Sequence, residues 1–150
     1  MNLLNSLYLK YKDSVNFVSI YIEEAHADDE WPIRTEETLK IKQHQTIEDR
    51  QAAAKLLQEE YGWKIPVVLD SMQNAFELNY SGWPLRIVLI GNDKWSRIEY
   101  ASGQIKPYEG FLQFELFRHL QQMLDMKLGI KKDAAGMCQD LIDFAENYKF

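Results

Sequence analysis

Apolar positions along this chain change their spacing several times, and each change marks an element. Leu3, Leu4, Leu7, Tyr8 and Tyr11 recur at three- and four-residue intervals, which predicts a helix over Met1–Tyr11. Phe17–Glu24 then reads Phe-Val-Ser-Ile-Tyr-Ile before two glutamates, the composition of a strand. Both alternating sets are largely apolar: Phe17, Ser19 and Tyr21 on one side, Val18, Ile20 and Ile22 on the other. A strand covered on both faces is therefore expected, as in an α/β sheet. A polar stretch leads to Thr46-Ile47-Glu48-Asp49, which has the form of a capping box with Asp in place of Glu or Gln. Ile47, Ala53, Ala54, Leu57 and Tyr61 carry helical spacing on to Gly62, a plausible helix stop.

Pro66–Asp70 predicts a short buried strand, and Ser71–Gly82 a polar, turn-rich connection carrying Tyr80. Leu85–Ile90 is the third strand. Gly91-Asn92-Asp93 forms a turn, and Trp95–Ala101 returns as an antiparallel fourth strand. Gly110–Leu128 is helical, with the stripe Phe114, Phe117, Leu120, Leu124. A last helix over 132–148 carries Ala134, Met137, Leu141, Phe144 and Tyr148. No repeat, low-complexity tract or linker interrupts this α/β order.

At 150 residues the chain is one domain, long enough to hide roughly 70% of the surface its unfolded form exposes. Seventeen Lys and Arg against 23 Asp and Glu leave a net charge of −6, which gives no general attraction to phosphate backbones and argues against nucleic acid as a partner. A single cysteine excludes an internal disulfide framework and a Cys-rich zinc site, and fits a reducing compartment. No segment approaches the roughly 18–20 apolar residues of a transmembrane helix, and the N-terminal segment lacks the basic-then-apolar order of a signal peptide.

The string Tyr21-Ile22-Glu23-Glu24-Ala25-His26, with Asp28, Asp29 and Trp31 behind it, resembles the iodothyronine deiodinase family. Gln43-His44-Gln45 followed by Glu48-Asp49-Arg50 is similar to that family's second histidine segment. Pro66-Val67-Val68-Leu69-Asp70-Ser71-Met72-Gln73-Asn74 is similar to a third segment, and Tyr80 and Arg86 follow it at the family spacing. The resemblance runs from Met1 to about Leu124. It implies a thioredoxin-like fold: a central mixed sheet flanked by helices, without its first strand and with an extra C-terminal helix. Residues 1–128 would be the deiodinase-family domain and 129–150 a helical extension of it. The family's reactive selenocysteine or cysteine lies upstream of the segments matched here, as does its membrane anchor. The chain is thus expected to be the body of a deiodinase, inactive as it stands. With the first strand missing, the strand from Phe17 is expected to leave an open edge or face, so that the chain pairs with a second copy or aggregates.

Removing iodine reductively from an aryl ring needs a soft ionised nucleophile, a proton donor for the ring carbon, and a group that orients that donor. The resemblance implies that Glu24, His26, His44 and Tyr80 form a proton relay, and that His26 and Arg86 clamp the polar ends of an iodothyronine. Glu24 and His26 also follow a strand end, where open α/β sheets bind ligands. Arg86 carries a fork suited to a carboxylate, with pairing to an acid such as Glu99 as its structural alternative. Tyr21 reads as a packing residue with a hydroxyl contact to the site. The acids Glu23, Glu24, Asp28, Asp29 and Glu30 around His26 have neither EF-hand nor zinc spacing and read as a solvated loop, with no metal expected. His119 reads as a residue at the edge of the core, and Cys138 as an inert buried thiol. A thiol reductant would serve as co-substrate, with no bound cofactor. Two other functions fit the same residues: a non-catalytic domain binding an aromatic ligand or a protein, and a thiol peroxidase-like redox protein on the same fold.

Overall fold

The computed structural model describes residues 2–33, 39–91, 98–102 and 113–130. The N-terminal periodicity forms α1, Asn2–Tyr11. Its apolar face buries Leu7 and Tyr11, each 2% exposed, against Leu120 and Leu124 of α4, Gln113–Lys127. Leu4, Val15, Phe17, Ile87 and Leu89 close round this cluster. The Tyr11 hydroxyl donates to Asp125 Oδ1 at 2.6 Å, so the first and last described helices share a buried polar contact as well as an apolar one.

Between them lies a parallel unit. β1, Ser19–Tyr21, pairs with β2, Val67–Leu69, in the register Ser19↔Val67, Ile20↔Val68, Tyr21↔Leu69. α2, Ile47–Glu60, connects them and lies against β2. Its buried residues, Arg50, Ala53 and Ala54, share one face at helical spacing. The capping box expected at Thr46 is formed: Asp49 N–H donates to Thr46 Oγ1 at 3.1 Å, and Thr46 N–H to Asp49 Oδ2 at 2.9 Å. The Thr46 side chain and the Thr46 and Gln45 N–H groups hold the Asp49 carboxyl below its usual range. Thr46→Ala is expected to lower stability by about 1 kcal/mol, read as a reduced urea midpoint with an unchanged slope. Gly62 ends the helix at φ +57°. Asn5 of α1 fastens this end, donating to Gly62 O at 3.0 Å and accepting from Lys64 N–H at 2.9 Å.

Two expectations are corrected. First, among the described residues β1 is not covered on both faces. In the parallel register Val18, Ile20 and Val68 share a face, and Val18 is 58% and Val68 47% exposed. Second, residues 71–82 are not merely a turn. They contain α3, Ala75–Tyr80. Its cap is remote: the buried Asp70 carboxylate accepts from Phe76 N–H at 2.9 Å, Glu77 N–H at 3.0 Å and Ser71 N–H at 2.7 Å. The residue at the N-cap itself, Asn74, makes no side-chain cap bond. The described strands form two pairs, and the described residues alone do not join them into one sheet. β3, Ile87–Ile90, pairs antiparallel with β4, Ile98–Ser102, as expected, and puts Ile87 and Leu89 on the α1–α4 cluster. The short β1–β2 pair stands beside α2 instead. The turn at Asn92-Asp93, the helix over 132–148 and Cys138 lie outside the described residues. Among the described residues no helix is long and apolar enough to cross a membrane.

Candidate active site

The chain leaves β1 and β2 at the same end of the parallel pair, so residues 22–26 and 70–74 meet there. This edge opens on a cavity of about 1000 Å³. Tyr21, Glu24, His26 and Arg86 line it, with Ile33, Leu39 and Ile41 from the long β1–α2 connection, Leu57 from α2 and Tyr61 at the C-cap of that helix. Charged and apolar groups are mixed in this wall, and polar groups set among apolar ones can fix the orientation of a small ligand.

Glu24 is held from two sides. The Tyr21 hydroxyl donates to its Oε1. Its main chain is clamped by the Gln43 side chain, whose Oε1 accepts from Glu24 N–H at 3.1 Å and whose Nε2 donates to Glu24 O at 3.0 Å. Gln43 thereby fixes the direction in which the carboxylate leaves the chain. Burial, and then the bond to Glu24, push the Tyr21 phenol far above its usual range, so it stays protonated and donates.

His44 is 6% exposed, with its ring 5.7 Å from that of Tyr21. Its Nε2 lies 3.8 Å from Glu24 Oε1, beyond hydrogen-bond length, and has no other partner among the described residues. Arg50 Nε donates to His44 Nδ1 at 3.4 Å, so Nδ1 is the accepting nitrogen and Nε2 carries the proton. Burial and the Arg50 charge hold the His44 pKa below 6.5, against the opposing pull of Glu24 and Asp49. The ring is neutral at pH 7 and presents an N–H toward Glu24.

His26 is exposed, its Nδ1 3.2 Å from Trp31 O and its ring 5.1 Å from the Trp31 ring. Arg86 reaches the cavity half-buried, its Nε without a hydrogen-bond partner among the described residues. Tyr80 is 38% exposed on α3 and stacked on Phe76 at 4.8 Å. Phe76 lines the cavity and Tyr80 does not. The structure therefore brings Glu24, His44 and Tyr21 together, sets His26 and Arg86 on the same wall, and leaves Tyr80 one ring behind it. The acidic run is dispersed: Glu23 accepts from Asn74 Nδ2 at 2.6 Å, Asp29 from Gln43 N–H at 2.8 Å and Glu30 from Gln43 Nε2 at 3.1 Å.

The sequence reading missed Gln43 and Arg50 as parts of the site. Arg50 showed one trace, a cation on the same helical face as Ala53 and Ala54. Gln43 showed only its place beside His44.

The sequence profile of the iodothyronine deiodinase family matches residues 1–122. The type I iodothyronine deiodinase of Xenopus laevis is 41% identical over 90 residues, 60% of this chain and 34% of that protein. The thyroxine 5-deiodinase of Homo sapiens is 38% identical over 90 residues, 60% of this chain and 29% of that protein. The thyroxine 5-deiodinase of Sparus aurata is 32% identical over 116 residues, 75% and 40% of the two chains. The chain spans about a third of the length of these relatives. With the profile running through the strand-end motif, the second histidine segment and on to α4, the chain belongs to the iodothyronine deiodinase family.

Proposed function

We propose that this chain is the substrate-binding and proton-delivering body of a reductive deiodinase acting on iodothyronines or related halogenated phenols. The observation that carries this reading is the Tyr21–Glu24–His44 constellation: Tyr21 and Glu24 line a cavity together with His26 and Arg86, and the buried His44 faces Glu24. A selenolate or thiolate attacks the iodine. The aryl carbon keeps the electron pair of the broken C–I bond and takes up a proton. An external thiol then displaces iodide from the chalcogen, and a second thiol restores the nucleophile as a disulfide forms. In this scheme Glu24 and His44 supply the proton, and Arg86 and His26 hold the polar ends of the substrate. The nucleophile is assigned to none of the residues lining this cavity.

The fold we assign is thioredoxin-like, with residues 129–150 as an extension of one domain. The order of helices and strands and the parallel β1–β2 pair support it. The open face bearing Val18 and Val68 supports pairing with a second copy, and a monodisperse monomer in light scattering would exclude that.

Iodide release from an iodothyronine with dithiothreitol tests the reading. The sample is the chain extended ahead of Met1 by a family-type selenocysteine or cysteine segment. Release is expected, with a severe loss in His26→Ala. Thyronine binding without release would favour a non-catalytic binding domain. Peroxide consumption without release would favour a thiol peroxidase.

A further inference from the structure

Glu23 and Glu24 are neighbours in sequence, yet their side chains are anchored through different segments. Glu24 faces His44, and Glu23 accepts from Asn74. Both routes end on one residue. Arg50 is 2% exposed, and each of its three guanidinium nitrogens is engaged. Nε donates to His44 Nδ1. Nη1 donates to Asp70 O at 3.1 Å and Ser71 O at 2.7 Å. Nη2 donates to Asn74 Oδ1 at 3.0 Å. None of these acceptors is a carboxylate. A buried cation satisfied by two carbonyls, an amide and an imidazole contributes little as an ion pair; its distinctive property is the fixed fork, which presents donors in three directions at once.

We propose that Arg50 is the positioning residue of this site: its fork selects the Nε2–H tautomer of His44, aims that N–H at Glu24, and locks the Asp70–Asn74 loop that holds Glu23. An imidazole with no partner at Nδ1 carries its proton on either nitrogen. With a donor fixed at Nδ1 the proton must sit on Nε2, the nitrogen facing Glu24. The groups facing His44 are Tyr21 and Glu24 from β1 and the turn after it, and Asp49 and Arg50 from α2. Among these Arg50 alone is a cation, so its loss removes both the tautomer lock and the charge that opposes ring protonation.

This inference rests on the proton-delivering role given to His44, but its readout is spectroscopic and independent of turnover. Nitrogen-15 long-range correlation spectra of the 150-residue chain, recorded across pH 5–8, report the tautomer and titration of each of its three histidines. Wild-type His44 is expected as a single Nε2–H tautomer. Arg50→Lys keeps the charge without the fork and is expected to give mixed tautomers. Arg50→Met removes both and is expected to raise the His44 pKa as well. Asn74→Gly, which keeps the left-handed backbone, removes the Glu23 branch and the acceptor of Arg50 Nη2 but leaves Nη1 on the two carbonyls and Nε on His44, and is expected to leave the His44 tautomer unchanged. A wild-type His44 protonated on Nδ1 would overturn the proposal even if neither Arg50 variant folds. A single Nε2–H tautomer in both Arg50 variants would overturn it too, leaving Arg50 a purely structural residue. Failure of deiodination with the tautomer as expected would count against the proposed reaction and not against this role.

Discussion

Asp70→Ala is expected to cost about 2–4 kcal/mol of unfolding free energy, seen as a large fall in the urea midpoint. The carboxylate is 4% exposed and accepts three backbone N–H groups, from Ser71, Phe76 and Glu77. Bonds to a charged acceptor contribute about 1.5–3 kcal/mol each, and alanine leaves those donors short of partners beneath a single short helix. The three bonds act on one group, so their losses do not add. The effect carries a pH signature. Burial works to raise the Asp70 pKa, but the three backbone N–H groups and the Arg50 charge outweigh it and hold the pKa below 3.8. Between that depressed value and 3.8 the unfolded chain binds more protons than the folded one. Stability is therefore fully present above pH 3.8 and falls as the pH drops through the folded value. Asp70→Asn should flatten this acid limb. An unchanged limb would remove Asp70 from the account of acid stability.

Glu24→Gln is expected to lower iodide release by about 10²–10⁴-fold in a chain extended by its nucleophile, the range associated with a positioned acid or base. The substitution keeps an oxygen to accept from Tyr21, so folding is expected to change little. Measuring the midpoint of unfolding on the same sample separates lost chemistry from lost structure. Full activity in a folded Glu24→Gln protein would eliminate Glu24 as a proton carrier and, with it, the Glu24–His44 route of proton delivery.

Much of the architecture is legible because it depends on short-range spacing. α1, α2 with its capping box and α4 follow from neighbours three or four positions apart, and the β3–β4 pair from short apolar runs on either side of a turn signal. α3 is not legible this way, since its cap comes from Asp70, five residues before the helix begins. The open face of β1 is invisible for a related reason: two apolar sets in a strand do not say whether a second layer covers both. At the site, the motif residues draw attention to Glu24, His26 and His44. The groups that orient them, Gln43 and Arg50, are polar residues in polar stretches. Their importance depends on tertiary distance alone, as in the 20 positions separating Arg50 from the carbonyl of Asp70.

The bond from Tyr11 to Asp125 spans 114 positions along the chain. On the ribosome this separation sets an order of events. The β1–α2–β2 unit contains all its own pairings within residues 19–69 and is able to close early, carrying the polar edge with it. α1 is made before the other described elements yet finds its partner helix last, and its apolar face stays uncovered while about a hundred further residues are made. A nascent chain stalled before α4 would therefore display Leu7 and Tyr11 to chaperones, while the pocket-forming unit behind them was already in place.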